Sequence, residues 1–334
     1  MRLVFGLCSL FLFGSCSMTT LKTPKIKGVS LVASRDSITE KHIDPIVGIN
    51  ANYAAIMPFG FVRGMDKPEI IYNSSRQWFG ESKLGAKQNI EALHKCAIKV
   101  MMKPHIWMRG EFTGHIKMDS EAHWKQLEAS YKAFILDYAA LAQETHCDIL
   151  CVGTELEQFV AHRPQFWRDL IVKIRTVYKG KLTYAANWDE FKRTPFWDQL
   201  DYIGVDAYFP VSNSQTPTVE ECLNGWRKHK PIIKALSEQF GKPILFTEFG
   251  YRSVDYSGKE PWKADRSMNV VNLEAQVNAT KALFETFWQE DWFAGGFVWK
   301  WFHNHEKSGG ENNNQFTPQN KPVEAIIKET YSSY

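Results

Sequence analysis

The sequence predicts a single (β/α)8 TIM barrel of the α/β class, and three observations carry that expectation. Short apolar runs recur eight times over roughly 300 residues with helix-period segments between them, the count such a barrel needs. Two of the runs, 148–155 and 243–249, deliver a carboxylate at the same end, Glu155 and Glu248. Polar and aromatic residues collect at that end of the other runs, whereas the run starts are bland. In α/β architectures the carboxyl ends of the strands carry ligand and chemistry.

The first residues stand apart from this domain. Arg2 is a short positive region, and Leu3 to Phe13 an apolar stretch too short to span a bilayer. Phe13-Gly14-Ser15-Cys16 then resembles a bacterial lipobox, with phenylalanine where leucine is more usual. Cleavage before Cys16 and lipid attachment to its sulfur are expected. Residues 1–15 are thus read as a lipoprotein-type signal peptide, 16–26 as a polar tether and 27–334 as the barrel. The expected location is the bacterial cell envelope, with the membrane as a partner through the lipid. A plain signal peptide is the alternative.

Strand runs follow at 28–33, 53–58, 97–102, 148–155, 182–188, 202–208, 244–248 and 294–299. Each is short, mostly apolar and bounded by turn residues, as strands buried on both faces require. Trp124, Leu127, Tyr131, Phe134, Tyr138 and Leu141 recur at helical steps behind the cap candidates Asp119 and Ser120. Phe166, Leu170, Ile174 and Val177 mark a second helix. Thr218-Val219-Glu220-Glu221 opens a third as a capping box, with Gly241 as its stop. Leu273, Val277, Thr280, Phe284 and Trp288 mark a fourth. No repeat or linker interrupts the pattern, so one domain and a monomer are expected. The segments 251–269 and 302–322 are long and rich in Gly, Asn and charge, as site-building loops at a barrel mouth are.

Composition narrows the classes. The net charge is +3, with both signs mixed and no basic block, so nucleic acid is not an expected partner. Aromatic residues make up 14% of the chain, including 12 Trp. That surplus fits either a carbohydrate ligand, on whose apolar faces indoles stack, or a large aromatic core. Cys96, Cys147, Cys151 and Cys222 read as buried free thiols, with one disulfide left open. Cys147 and Cys151 have no histidine in register, and His303, His305 and Glu306 lack the helical spacing of a zinc pair. No metal or other cofactor is therefore expected.

Two carboxylates at the mouth of a tryptophan-lined barrel suit glycoside hydrolysis, one as general acid and base, the other as nucleophile or base. Glu157 rivals Glu155, because on a continued strand both would point to one face. Lys103, His105 and Trp107 follow the third run and are expected to bind substrate hydroxyls and a sugar face, with a satisfied structural histidine as the alternative for His105. Asp206, after the sixth, would either hydrogen-bond a sugar or brace a neighbouring strand. Asp189 and Glu190 read as a solvated loop edge. Trp78, Trp188 and Trp262 read as structural or loop-packing residues, and Trp301 as either core or site.

The phrases Lys103-Pro104-His105-Ile106-Trp107, Gly153-Thr154-Glu155-Leu156-Glu157 and Thr247-Glu248-Phe249-Gly250-Tyr251-Arg252-Ser253 occur in that order, with Phe316-Thr317-Pro318 and Lys321-Pro322 near the end. Over residues 27–330 the chain resembles glycoside hydrolase family 113 of the retaining clan A. The resemblance implies cleavage of β-1,4-linked mannan or manno-oligosaccharides with retention, Glu155 as acid/base and Glu248 as nucleophile. It further implies Tyr208 as the donor to the nucleophile and Trp299 as a stacking platform. The residue before the acid/base is Thr154 where many clan members have asparagine. The contact to the sugar 2-hydroxyl would fall to Thr154 or to Asn187. Other clan A activities, a β-glucanase or an exo-acting mannosidase, are the alternatives within enzymes. A glycan-capturing lipoprotein is the alternative outside them, although both glutamates are present.

Overall fold

A computed structural model describes residues 24–264 and 269–334. Eight parallel strands close into a barrel: β1 Ile26–Leu31, β2 Tyr53–Ile56, β3 Lys99–Met102, β4 Ile149–Thr154, β5 Lys181–Asn187, β6 Ile203–Asp206, β7 Ile244–Phe249 and β8 Phe293–Trp301. Each pairs with the next in chain order, and β8 returns to β1. Each lies on a run expected from sequence, with ends displaced by up to two residues, and β1 begins two residues earlier and takes in the tether's last residue. The remaining tether up to residue 23, the signal segment and Cys16 lie outside the described residues.

The barrel obeys strand parity. Ile26, Ala55, Met101, Ile149, Cys151, Ala185, Leu245 and Phe297 form a buried cluster inside it. Their neighbours Val100, Met102, Leu150, Val152, Tyr184, Ala186 and Phe246 belong to the second cluster, under the helices. One place breaks the alternation usefully. Phe246 packs on Phe287 and Phe249 on Trp288, so two residues three apart both face helices. Register shifts opposite Val205/Asp206 and Gly296/Val298 absorb the difference. Thr247 and Glu248 are thereby both available to the barrel interior.

The helices are α1 Glu40–Gly48, α2 Lys83–Lys95, α3 Glu121–Glu144, α4 Glu157–His162, α5 Pro164–Val177, α6 Val219–Trp226, α7 Lys230–Phe240, α8 Leu273–Phe287 and α9 Pro322–Ser332. Ser120 caps α3 by accepting from the His123 N–H, and Thr218 with Glu221 forms the capping box of α6. The third expected helix divides in two. It turns at residues 227–229, where Pro231 starts α7 without an N–H to continue the ladder, and ends at Gly241 with φ 60°. No long helix follows β5, where only the 3-10 turn Trp197–Gln199 crosses to β6.

Much of the aromatic surplus is core. Trp167, Trp197, Trp226, Trp288 and Trp301 are fully buried. Trp167 packs on Tyr131, Phe159, Tyr184 and Phe196, and its truncation would cost about 3–5 kcal/mol. A Cβ at Gly153 would sit 2.8 Å from Trp167 and 2.9 Å from the Tyr131 hydroxyl, so glycine there lets α3 and α5 close on β4. Cys147, Cys151 and Cys222 are buried free thiols, and Cys96 is a half-buried one. Among the described residues, no helix is long and apolar enough to cross a membrane.

Candidate active site

The ends of β3, β6 and β7 meet on one ammonium group. Lys103 Nζ donates to Glu248 Oε1 at 2.6 Å and to Asp206 Oδ1 and Oδ2 at 3.0 and 3.3 Å. The Tyr208 hydroxyl donates to Glu248 Oε2 at 2.7 Å, and the Thr247 hydroxyl to Asp206 Oδ1 at 2.7 Å. Both oxygens of Glu248 are therefore held by donors, which fixes its side chain at the strand end. Lys103 and Asp206 are wholly buried, whereas Glu248 keeps 6% exposure. The expectation that Lys103 contacts substrate is corrected, for its ammonium is spent on Asp206 and Glu248; of the two roles open to Asp206, it takes the bracing one, its oxygens accepting from Lys103 and Thr247 rather than facing a sugar. Burial works against the Lys103 charge, but Asp206 and Glu248 outweigh it and hold the ammonium above its ordinary range. Burial, reinforced by Glu248, pushes Asp206 up to about 7 against the pull of Lys103 and Thr247.

Glu155 approaches from β4. The strand stops at Thr154, and Glu155 turns out of it in the left-handed region at φ 51°, a conformation costing a non-glycine residue about 1–2 kcal/mol. Its N–H donates to the Ala185 carbonyl at 2.8 Å, and the next N–H, of Leu156, donates to the Tyr184 hydroxyl at 2.8 Å. The half-buried carboxyl is raised well above its ordinary range by burial, then by Asp206 and Glu248, with Lys103 opposing and Glu190 adding. Glu155 and Glu248 thus share one electrostatic environment. Glu157 does not. It opens α4, and its carboxylate is paired with the guanidinium of Arg193. Parity could not separate the two glutamates because the strand ends before either.

His105 and Trp299 line the same mouth. The imidazole lies parallel to the indole, with ring centroids 6.5 Å apart at 4°. His105 Nε2 is buried 3.9 Å from Glu248 Oε1 and finds no hydrogen-bond partner among the described residues. Burial, helped by Lys103, lowers its pKa well below the ordinary value, so the ring is neutral at neutral pH. Trp299 is half-buried, and the Lys300 ammonium sits 5.6 Å from its ring and 5.4 Å from that of Phe302. Gln319 anchors this strand end by exchanging hydrogen bonds with the Phe302 peptide at 2.7 and 2.9 Å. Lys321 ties the end of the Glu248 phrase to the residue before Phe316, donating to Ser253 Oγ at 2.9 Å and Gln315 O at 2.7 Å. Phe316 packs edge-on against Tyr208.

The other expected residues are more scattered. Trp107 is 47% exposed and packs edge-on against Phe61, in a two-stranded ribbon of Phe59–Phe61 with His105–Trp107. Thr154 is buried, and Asn187 is half-buried with its Oδ1 accepting from the Trp188 N–H. Trp188 stacks on the exposed Trp262, and Trp78 lies under Arg35. His305 pairs with Glu324 of α9. Glu190 corrects an expectation outright, for it is 1% exposed rather than a solvated edge, while its neighbour Asp189 is exposed. Glu190, Tyr184, Thr247, Lys300 and Gln319 carry no site role in the sequence reading. For Glu190 the only signal was its spacing after Asn187, which fits a tight turn folding back on its strand.

A closed parallel barrel with two carboxyls at its mouth, one clamped by donors and one raised by burial, is the site of a (β/α)8 glycoside hydrolase. The chain belongs to glycoside hydrolase family 113, whose model matches residues 33–321. The β-mannanase of this family from Alicyclobacillus acidocaldarius, solved in complex with ManMIm, is 25% identical. The match covers 93% of this chain and 98% of that one, with a TM-score of 0.81. A second β-1,4-mannanase of the family is 24% identical over 93% of this chain and 100% of its own, also at 0.81. A β-glucuronidase from Ruminococcus gnavus shares the fold at 13% identity, 93% and 50% coverage and a TM-score of 0.62. None of the curated protein sequences matches.

Proposed function

We propose that the chain hydrolyses β-1,4-mannosidic linkages in mannan or manno-oligosaccharides by double displacement. Glu248 attacks the anomeric carbon while Glu155 passes its proton to the departing glycosidic oxygen, and a glycosyl-enzyme ester forms. Glu155, now a carboxylate, takes a proton from water as the water attacks the same carbon and frees Glu248. Two inversions leave the configuration unchanged. Tyr208 and Lys103 hold Glu248 through these steps. The unpartnered His105 Nε2 is assigned to a sugar hydroxyl, Trp299 to a sugar face, and Trp107, Thr154 and Asn187 to further contacts. The observation that carries the reading is the division of labour between the carboxyls. Glu248 is gripped on both oxygens, whereas Glu155 is raised toward the protonated form an acid needs.

The β-1,4-mannanases among its structural neighbours support mannan as the substrate. Reducing-end release from mannan, glucomannan, cellulose and xylan tests that assignment, with mannan and glucomannan expected to be cut and cellulose and xylan spared. Release from cellulose or xylan alone would move the chain to another activity of the clan, and release from none would favour a capture protein. Proton NMR of the first product formed should show the β-anomer. We further propose that lipid on Cys16 holds the enzyme in the bacterial envelope, on the strength of residues 13–16. An intact mass of membrane-fraction protein lacking the lipid would refute it.

A further inference from the structure

The double displacement leaves one buried acid without a role. Glu190 Oε1 accepts from the Tyr184 hydroxyl at 2.8 Å, and Oε2 accepts from the Asn187 N–H at 3.2 Å. The Tyr184 oxygen in turn accepts from the Leu156 N–H at 2.8 Å. A continuous hydrogen-bonded chain therefore runs from the loop after β5, through a core tyrosine, to the peptide that immediately follows Glu155. Around it Tyr184 touches Trp167, Phe196 and Trp197, all apolar contacts that a phenylalanine would make equally well. The hydroxyl is thus free of any packing duty, and its bonds run to Leu156 and Glu190.

That peptide is the one that needs holding. Glu155 sits in the left-handed region with a side chain that must point at the bond being cut. Such a conformation persists where the surroundings over-determine it. The Ala185 carbonyl holds one side of the turn through the Glu155 N–H, and Tyr184 holds the other through Leu156. We propose that Tyr184 and Glu190 are a positioning relay for the acid/base, fixing the 155–156 peptide so that the Glu155 carboxyl meets the glycosidic oxygen.

The relay carries charge as well as geometry. Glu190 is raised to about 7 by burial, with Tyr184 and the Asn187 N–H opposing and Glu157 and Asp206 adding. Glu155 in turn faces Asp206, Glu248, Lys103 and Glu190. An ionised Glu190 therefore favours the protonated acid, and a neutral residue in its place releases the proton at lower pH.

The inference rests on the hydrolase reading, and leaving groups separate the two. The sugar released from mannohexaose departs only with a proton from Glu155 on its glycosidic oxygen, whereas 2,4-dinitrophenolate departs from a β-mannobioside without one. Glu190→Gln keeps the volume but turns an amide donor toward Tyr184 or the Asn187 N–H, and Tyr184→Phe removes the bridge. For both variants kcat/KM on mannohexaose should fall by about tenfold or more, and on the dinitrophenyl substrate by less than about threefold. In Glu190→Gln the basic limb of the mannohexaose profile should also move down by roughly half a pH unit. Equal losses on both substrates, or no loss on either, would overturn the relay. If Glu190→Gln does not fold, the same contrast in Tyr184→Phe decides. A wild-type protein inert on both substrates refutes the hydrolase reading itself.

Discussion

Lys103→Met is the substitution that asks most of this site. The ammonium stands 2.6 Å from Glu248 and 3.0 Å from Asp206, with all three side chains at 8% exposure or less. Methionine keeps most of the length and leaves two buried carboxyls facing each other with no cation between them. Breaking a buried pair in this way costs about 3–5 kcal/mol. With an unfolding entropy of about 2.1 cal/mol/K per residue, each kcal/mol moves the melting temperature of a chain this long by about 1.5 °C, so a fall of roughly 4–8 °C is expected by calorimetry. Glu248 also loses a charge-assisted donor, worth about 1.5–3 kcal/mol, which lowers kcat/KM by roughly 10- to 100-fold. The double variant Lys103→Met/Asp206→Asn removes the stranded second charge. It should regain stability over Lys103→Met, with a coupling of about 1 kcal/mol or more in the mutant cycle. A Lys103→Met protein melting within about 2 °C of wild type, or a strictly additive cycle, would show that the ammonium is not what holds the two acids together.

Tyr208→Phe removes the other donor to Glu248 and should lower kcat/KM on manno-oligosaccharides by about 10- to 100-fold while the fold, by circular dichroism, is unchanged. Glu155→Gln should abolish hydrolysis of manno-oligosaccharides, whereas Glu157→Gln, which only frees Arg193, should keep activity within about twofold of wild type; the reverse order would exchange their roles. Because the active acid is the protonated form and Glu155 is raised above its ordinary 4.5, kcat/KM should persist above that pH and fall as pH climbs through the raised value. A basic limb at or below 4.5 contradicts the assignment.

The barrel was legible because buried parallel strands leave a plain trace, short apolar runs at a regular beat with the carboxylates at their ends. The structure follows the parity of those runs, with Met101 and Lys103 facing inward and Met102 out under the helices. Parity does not report depth. Lys103, Asp206, Glu248 and Glu155 all stand at strand ends, yet the first two are sealed, the third barely open and the fourth half-buried. Depth decides whether a charged group touches a ligand or holds another group, and it depends on partners 103 and 145 residues away in the chain. The same limit explains Glu190. Next to the exposed Asp189 it looks like a polar loop, and only the fold of 187–190 back onto Tyr184 shows a carboxyl traded from solvent to a single hydroxyl and one peptide. Burying such a group without a partner would cost about 1–3 kcal/mol, and more if it is charged, against the roughly 1 kcal/mol a typical hydrogen bond returns. Its satisfied burial within one residue's reach of the Glu155 peptide is therefore better explained by a task at that peptide than by stability alone.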